Sequence, residues 1–469
     1  MIYRLVRALW KASLFLFFRR IDVQGRQRVP PRGPVLVVSN HANAFVDPLL
    51  MLTRLRRPVS LTAKSTLRGN PLLALLMRAL NVIEFHRAQD RQEGADPSKN
   101  VDSMAEVRRR LSDGGLVVIF PEGVSHSDPA LRPFKTGAAR IVFDFLDGHP
   151  DRSLTVVPAG VHYEAKERFR SAAGVVFGEP FDAAAWMREH PGASARVLTN
   201  EMERRIRALT ANFESERDVE TFARAEEVLR VAGSPPAPLG WDEPRDFAGQ
   251  VQVIHRLQDG RAWLARERAD ELAALESRID ALYAELHRLG VSARELFLPM
   301  GAARAAFFVV RELEVMLVGA PLAAWGWLNH APAYAVLRAL VMKMSKDRDH
   351  FASNAVFLAL PVVPLFYALQ IGIAAVLLPP LWALLYALVL PLSGAVALLW
   401  RDRAGGAWRR ARTFLHFLRR PADQRRLTAD AQSIADDLRR LAGEMEAAGS
   451  EPGSANGIEL RRPAPPPLA

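Results

Sequence analysis

The chain has 469 residues, and cysteine is absent from all of them. That excludes disulfide staples, thiolate metal sites and a covalent thioester intermediate on the protein. Internal repeats, a glycine-rich phosphate loop and clusters with metal-ligand spacing are missing too, so no resident cofactor or metal is expected. Over residues 354–400 charge itself is missing: "NAVFLALPVVPLFYALQIGIAAVLLPPLWALLYALVLPLSGAVALLW". A spanning helix needs about 20 apolar residues. This run therefore predicts a transmembrane hairpin that reverses at Pro379-Pro380.

Positive charge is in excess, with a formal net charge of +11 and a pI near 10.3. An anionic partner follows: nucleic acid, anionic lipid or a phosphorylated metabolite. The basic residues are spread along the chain with no aromatic-basic platform, which argues against nucleic acid. Lys343, Lys346 and Arg348 precede the charge-free run, and Arg401, Arg403, Arg409 and Arg410 follow it. The positive-inside rule then puts both ends of the hairpin in the cytoplasm. A shorter apolar stretch, residues 315–328, contains Gly319 and Pro321, which are expected to break it into an interfacial or re-entrant segment. At the N-terminus, "MIYRLVRALWKASLFLFFRR" puts Arg4, Arg7 and Lys11 on one helical face beside an apolar one. No small-residue cleavage site follows, so it reads as a basic interfacial helix on anionic phospholipid and not as a signal peptide.

Between residues 34 and 181 short apolar runs alternate with helical patterns. Strands are predicted at 34–40, 60–65, 82–87, 116–120, 155–161 and 174–181, with helices between, for instance at 101–112 and 136–147. Such alternation predicts an α/β domain, a sheet flanked by helices, with ligands at the carboxyl ends of its strands. The remainder divides by composition. Residues 1–20 form the interfacial helix, 21–185 the α/β domain, 186–313 a charged helical insert, 314–402 the membrane region, 403–448 cytoplasmic amphipathic helices and 449–469 a disordered tail.

Four segments carry the chemistry. "VVSNHANAFVDP" sets Asn40-His41 at a strand end and Asp47 five intervening residues later. A histidine can take a proton near neutral pH, and a carboxylate on its other nitrogen would hold its tautomer. No serine, threonine or cysteine stands as an obvious nucleophile beside it, so the base would activate a hydroxyl of the substrate. "VIEFHRAQD" sets Arg87 behind a strand, where a guanidinium can grip phosphate. "FPEGVSHSDPALRPFKTGAARI" sets Glu122 where a polyol hydroxyl would bind, and Lys135 at the start of a helix suited to an anion. In "VVPAGVHYEAKERFRSAAGVVFGEPF", Pro158 is expected to end a strand, with Lys166, Arg168 and Arg170 clustered behind it.

Taken in this order, the four segments resemble the glycerolipid acyltransferase family. The match is closest to the branch acting on glycerol-3-phosphate and dihydroxyacetone phosphate, whose motifs read "HANQFVDP"-like, "R-A-x-D", "FPEG-SH" and "FRS…FGEP". This chain carries "HANAFVDP", "RAQD", "FPEGVSH" and "FRSAAGVVFGEP", and the resemblance covers residues 20 to 185. Two departures stand out. The wider family places its histidine and aspartate one residue closer together, and its second motif usually opens on glycine, where this chain has Asn81.

The resemblance implies that His41 deprotonates the acceptor hydroxyl, which attacks an acyl thioester directly, and that Asp47 orients His41. Arg87 and Lys135 would hold a phosphate, while Glu122, Gly123 and Ser125 would bind the glycerol part. Asn40, Pro121 and Pro158 would support the site. The implied partners are acyl-coenzyme A or acyl carrier protein, a phosphorylated glycerol acceptor and a phospholipid membrane. The implied location is the bacterial inner membrane, with the α/β domain on its cytoplasmic face. A lysophosphatidate acceptor remains the alternative within the family. Outside it stands an inactive membrane-anchored scaffold, whose relatives usually lose the histidine or the aspartate; both are present here.

Overall fold

The computed structural model describes residues 2–66, 71–86, 98, 100–233, 246–297, 302–345 and 348–448. They fall into two compact units, one of the described residues up to 216, 246–251 and 302–419, the other of 217–233, 252–297 and 420–448.

The first unit opens with α1 (Ile2–Phe17), β1 (Arg20–Gln24), β2 (Val35–Ser39), α2 (Val46–Arg54), β3 (Ser60–Lys64) and α3 (Pro71–Ala79). There follow β4 (Ile83–Phe85), α4 (Asn100–Ser112), β5 (Leu116–Ile119), α5 (Gly137–Gly148), β6 (Thr155–Tyr163), β7 (Ala172–Phe177), β8 (Phe181–Asp182), α6 (Ala183–Glu189) and α7 (Ala195–Arg207). The strands form one sheet in the order β1-β7-β6-β2-β5-β3-β4, with β8 beside β6. Neighbours are parallel except β6–β7 and β6–β8, so the sheet is mixed.

In the central strand β2 every residue is buried, because both faces of the sheet are covered. Val35 and Val37 face a core shared with α1 and α2, while Leu36 and Val38 face α4, α5 and α7. That alternation is the pleat itself. The first core also takes Ala352, Ala355 and Val356 from a helix far along the chain.

One expectation is corrected, at Pro158, and two features appear that the sequence did not show. β1 was hidden by its mixed composition, Arg-Ile-Asp-Val-Gln; as an edge strand it is half-buried throughout and pairs parallel with β7. Pro158 does not end β6, which runs on to Tyr163. Its missing N–H falls where β6 passes from β8, paired at 155–156, to β7, paired at 159–163, and its carbonyl still accepts Gly178 N–H at 2.8 Å. Asn81, standing where the family's motif opens on glycine, adopts φ 53. Asparagine is among the few side chains that tolerate this left-handed backbone, so the turn survives without glycine.

His162 is packed against Phe247, ring centroids 5.5 Å apart, and its Nε2 is shut off from solvent. Burial lowers its pKa from 6.5 to about 4. The unfolded chain therefore binds a proton between pH 6.5 and 4 that the fold refuses, and stability falls as pH drops through that window. The full effect is about 3 kcal/mol. Thermal unfolding of His162→Leu in detergent should show a flatter decline from pH 6.5 to 4.5 than the native chain shows.

The described residues beyond these form helices: α8 (Glu216–Gly233), α9 (Phe247–Glu267), α10 (Ala269–Leu289), α11 (Ala293–Leu296), α12 (Ala302–Met344), α13 (Arg348–Leu377), α14 (Pro380–Arg419) and α15 (Pro421–Ala447). Residues 351–377 and 380–419 are each long and apolar enough to cross a membrane, and the chain reverses between them at Leu378-Pro379. The stretch 315–328 is not broken: α12 runs through Gly319 and Pro321. Gly319 is instead a packing notch, since a Cβ there would meet the Trp400 ring at 2.8 Å, and Gly326 lies as closely under the backbone of Ser393. Small residues let two apolar helices, α12 and α14, approach closely.

In the second unit α8, α10, α11 and α15 bury Phe222, Leu275, Ile279, Leu282, Leu427 and Ile434. Charged pairs such as Arg278–Asp437 (2.6 Å) and Arg440–Glu271 (2.9 Å) lace the exposed surface. Exposed pairs of this kind contribute at most about 1 kcal/mol each.

Candidate active site

The site lies at the carboxyl end of the parallel strands. Past β2, Asn40 donates through Nδ2 to Val161 O (3.1 Å) and accepts from Val161 N (2.7 Å), extending the β2–β6 pairing by one side chain. The loop then turns into α2. Asp47 sits in its first turn, where a carboxylate suits the helix dipole, and Pro48 follows where the N–H would have no helical partner.

His41 Nδ1 lies 2.9 Å from Asp47 Oδ2. The same oxygen accepts Asn43 N–H at 2.7 Å, and the other accepts the Tyr163 hydroxyl. Every partner of this carboxylate is thus a donor, which assigns the Nδ1 proton to His41 and leaves Nε2 with a lone pair. Desolvation, reinforced by the Asp47 carboxylate, holds the Tyr163 phenol well above its usual 10.0, so it remains a donor. Asp47 is fully buried, whereas 15 % of the His41 side chain is exposed. The imidazole stacks on Phe120 with centroids 4.4 Å apart. Among the described residues no hydroxyl is hydrogen-bonded to His41 Nε2.

Glu122 was expected to face a polyol, yet both of its oxygens are engaged inside the protein. Oε1 accepts His41 N–H at 2.6 Å; Oε2 accepts Arg132 N–H at 3.0 Å and pairs with His126 Nε2. His126 Nδ1 accepts Asp128 N–H, which puts the ring proton on Nε2, facing Glu122. A buried carboxylate met by three donors thus braces the loop that carries His41. His126 N–H also reaches His41 O at 3.2 Å.

Pro121 is buried, and its carbonyl accepts Lys135 N–H at 2.9 Å, which folds the long loop back on itself. Gly123 has φ 73, and a Cβ there would meet Lys135 Nζ at 2.7 Å, so the lysine stem lies across this glycine. Lys135 precedes α5 by two residues and does not open it. Ser125 is half-buried in the same loop. Arg87 lies outside the described residues.

The expected cluster of Lys166, Arg168 and Arg170 is dispersed. Lys166 Nζ bonds the carbonyls of Ala42 and His126, both at 3.3 Å, tying the first and third segments together. Arg168 pairs with Glu164 at 3.0 Å. Arg170 is buried on Asp402 of α14 and on the carbonyls of Phe15 and Phe18. Sequence reasoning did not single out Asn43, His126 or Tyr163; Asn43, inside the first motif, and His126, four residues after Glu122, left a local signal, and Tyr163 left none. Among the described residues no group of three or more His, Asp or Glu side chains is placed to hold a metal.

A histidine held by a buried carboxylate, its backbone N–H bonded to the glutamate of an F-P-E-G turn, thus stands at the carboxyl end of the sheet. Residues 20–162, within the sheet domain, match the family model described as Acyltransferase, and that stretch contains His41, Asp47, Glu122 and Lys135. The chain is 30% identical over 257 residues to an uncharacterized acyltransferase of Schizosaccharomyces pombe, covering 37% of this chain and 38% of that protein. It is 26% identical over 251 residues to glycerol-3-phosphate O-acyltransferase 1 of Saccharomyces cerevisiae, covering 35% and 33%. A 1-acyl-sn-glycerol-3-phosphate acyltransferase of Borreliella burgdorferi is 29% identical over 137 residues, covering 29% and 52%. The chain therefore spans between about a third and a half of the length of these relatives.

Proposed function

We propose that the protein is a membrane-bound O-acyltransferase that moves a fatty acyl group from an acyl thioester to glycerol-3-phosphate or dihydroxyacetone phosphate. The observation that carries this reading is the His41–Asp47 pair, whose Nε2 is left to accept a proton with no hydroxyl of the chain bonded to it. The acceptor hydroxyl gives its proton to Nε2 as its oxygen attacks the thioester carbonyl. The tetrahedral intermediate collapses and expels the thiolate, whose parent pKa of about 8.5 makes it a good leaving group. The imidazolium returns the proton to that sulfur, and the products are the ester and the free thiol. Acyl-coenzyme A or acyl carrier protein supplies the acyl group, and no resident cofactor takes part in this scheme. Arg87 and Lys135 hold the acceptor's phosphate, with Gly123 and Ser125 beside them.

Similarity to the yeast enzyme named for glycerol-3-phosphate supports this acceptor class. Similarity to the Borreliella enzyme supports a second reading, in which lysophosphatidate accepts. The two apolar helices support a place in a membrane, which we propose is the bacterial inner membrane, and the basic flanks of the hairpin support a site on its cytoplasmic side. The test is transfer by the full chain in lipid vesicles, with three radiolabelled acceptors and the two donors. Glycerol-3-phosphate or dihydroxyacetone phosphate should be acylated at least tenfold faster than lysophosphatidate. The reverse order establishes the second reading, and transfer to none overturns both. In the active pairing, Arg87→Ala and Lys135→Ala should raise the acceptor KM roughly tenfold or more and leave the donor KM unchanged, since each removes a charge-assisted bond of about 1.5–3 kcal/mol. An unchanged acceptor KM in both variants would remove the phosphate assignment.

A further inference from the structure

We infer that Ser353, at the start of the first long apolar helix, is a positioning residue for the base loop, so that α13 supplies part of the site. Phe45 N–H donates to Ser353 Oγ at 2.8 Å, and that hydroxyl donates to Asn43 Oδ1. Asn43 in turn donates its backbone N–H to Asp47 Oδ2 at 2.7 Å. Two hydrogen bonds, both made by Asn43, thus connect the helix to the carboxylate beside His41, and Ser353 itself has no solvent exposure.

The bonding pattern is informative because other outcomes were open to this serine. A buried hydroxyl without partners is costly, and a helical serine ordinarily satisfies itself on the carbonyl four residues back. Ser353 instead spends its donor and an acceptor site on two residues of one loop. The surroundings hold it there: Phe357, one turn on, stacks on Phe45 with centroids 6.1 Å apart. Ser13 Oγ donates to Val356 O at 2.8 Å, fastening α13 to α1. Ala352, Ala355 and Val356 share one core with Val46, Leu49 and Leu50 of α2. The loop between His41 and Asp47 is therefore clamped between a strand end and the apolar helix. A shift of this helix along its axis would move the base loop with it.

A second tie between the sheet domain and the apolar helices touches no residue of the site and serves as the control: Arg170 with Asp402, Nε to Oδ2 at 2.8 Å. The experiment compares Ser353→Ala with Asp402→Asn in the full chain in detergent. Hydrogen exchange of the peptide spanning residues 37–50 is measured first, because it does not depend on the proposed reaction. Ser353→Ala should speed exchange at Phe45 and Asn43 at least tenfold, and Asp402→Asn should leave both within twofold. The kinetic half rests on the acyl-transfer reading. With the acceptor that the native chain uses, Ser353→Ala should lower kcat at least tenfold and keep both KM values within twofold, since small misplacements of a base are costly to turnover. Asp402→Asn should lower the unfolding midpoint without this loss of kcat. Unchanged exchange in Ser353→Ala overturns the inference, as does a kcat loss that Asp402→Asn reproduces at an equal fall in midpoint. A native chain inactive on every acceptor overturns the reaction, while the exchange result still decides the role of Ser353.

Discussion

His41→Ala should lower kcat by 10²–10⁴-fold, the range a general base supplies, while the chain still folds and inserts. The argument is geometric. His41 is the residue whose free ring nitrogen faces outward from a buried donor–acceptor chain, with Asp47 behind it fully enclosed. Alanine removes the base but leaves Asp47 with two donors, Asn43 N–H and the Tyr163 hydroxyl, so the carboxylate stays satisfied and stability changes little. Initial rates of acyl transfer, with the unfolding midpoint measured alongside, check this. Activity within threefold of the native chain would remove His41 as the base.

Glu122→Gln should cost turnover and stability together and leave the acceptor KM within about threefold. Both oxygens of Glu122 face donors: His41 N–H on one, Arg132 N–H and His126 Nε2 on the other. A carboxamide must turn its NH₂ toward one of these, setting donor against donor in a site with 2 % exposure. The loss of a buried charged acceptor is worth several kcal/mol, and part of it moves the His41 backbone. A tenfold or greater fall in kcat with a lowered midpoint is the expected result. A rise in acceptor KM with kcat and midpoint intact would return Glu122 to the role the resemblance assigns it, contact with the glycerol part.

The strands at 34–40, 60–65 and 116–120 were legible because they are apolar runs bounded by turn residues, and the observed strands fall inside those limits. The charge-free run was legible for the same kind of reason, as was its reversal at Pro379. β1 escaped because an edge strand carries no buried alternation, and the continuity of α12 escaped because glycine and proline punctuate exposed helices far more than packed apolar ones. In the site, His41 and Asp47 were legible as a pair within one motif. For Glu122 the sequence suggested contact with a polyol, while its bond to His41 N–H, 81 positions away, came only with the fold.

By itself, then, the sequence determined which short segments fold locally and which side chains stand at strand ends. Hydrophobic period, turn chemistry and motif spacing act between near neighbours and are written in order along the chain. Only the tertiary structure decided what those side chains hold. Tyr163 reaches Asp47 across 116 positions, Arg170 reaches Asp402 across 232, and Ser353 reaches Asn43 across 310. No local pattern encodes such pairs, because a buried polar group takes whichever partner the packed core brings to it.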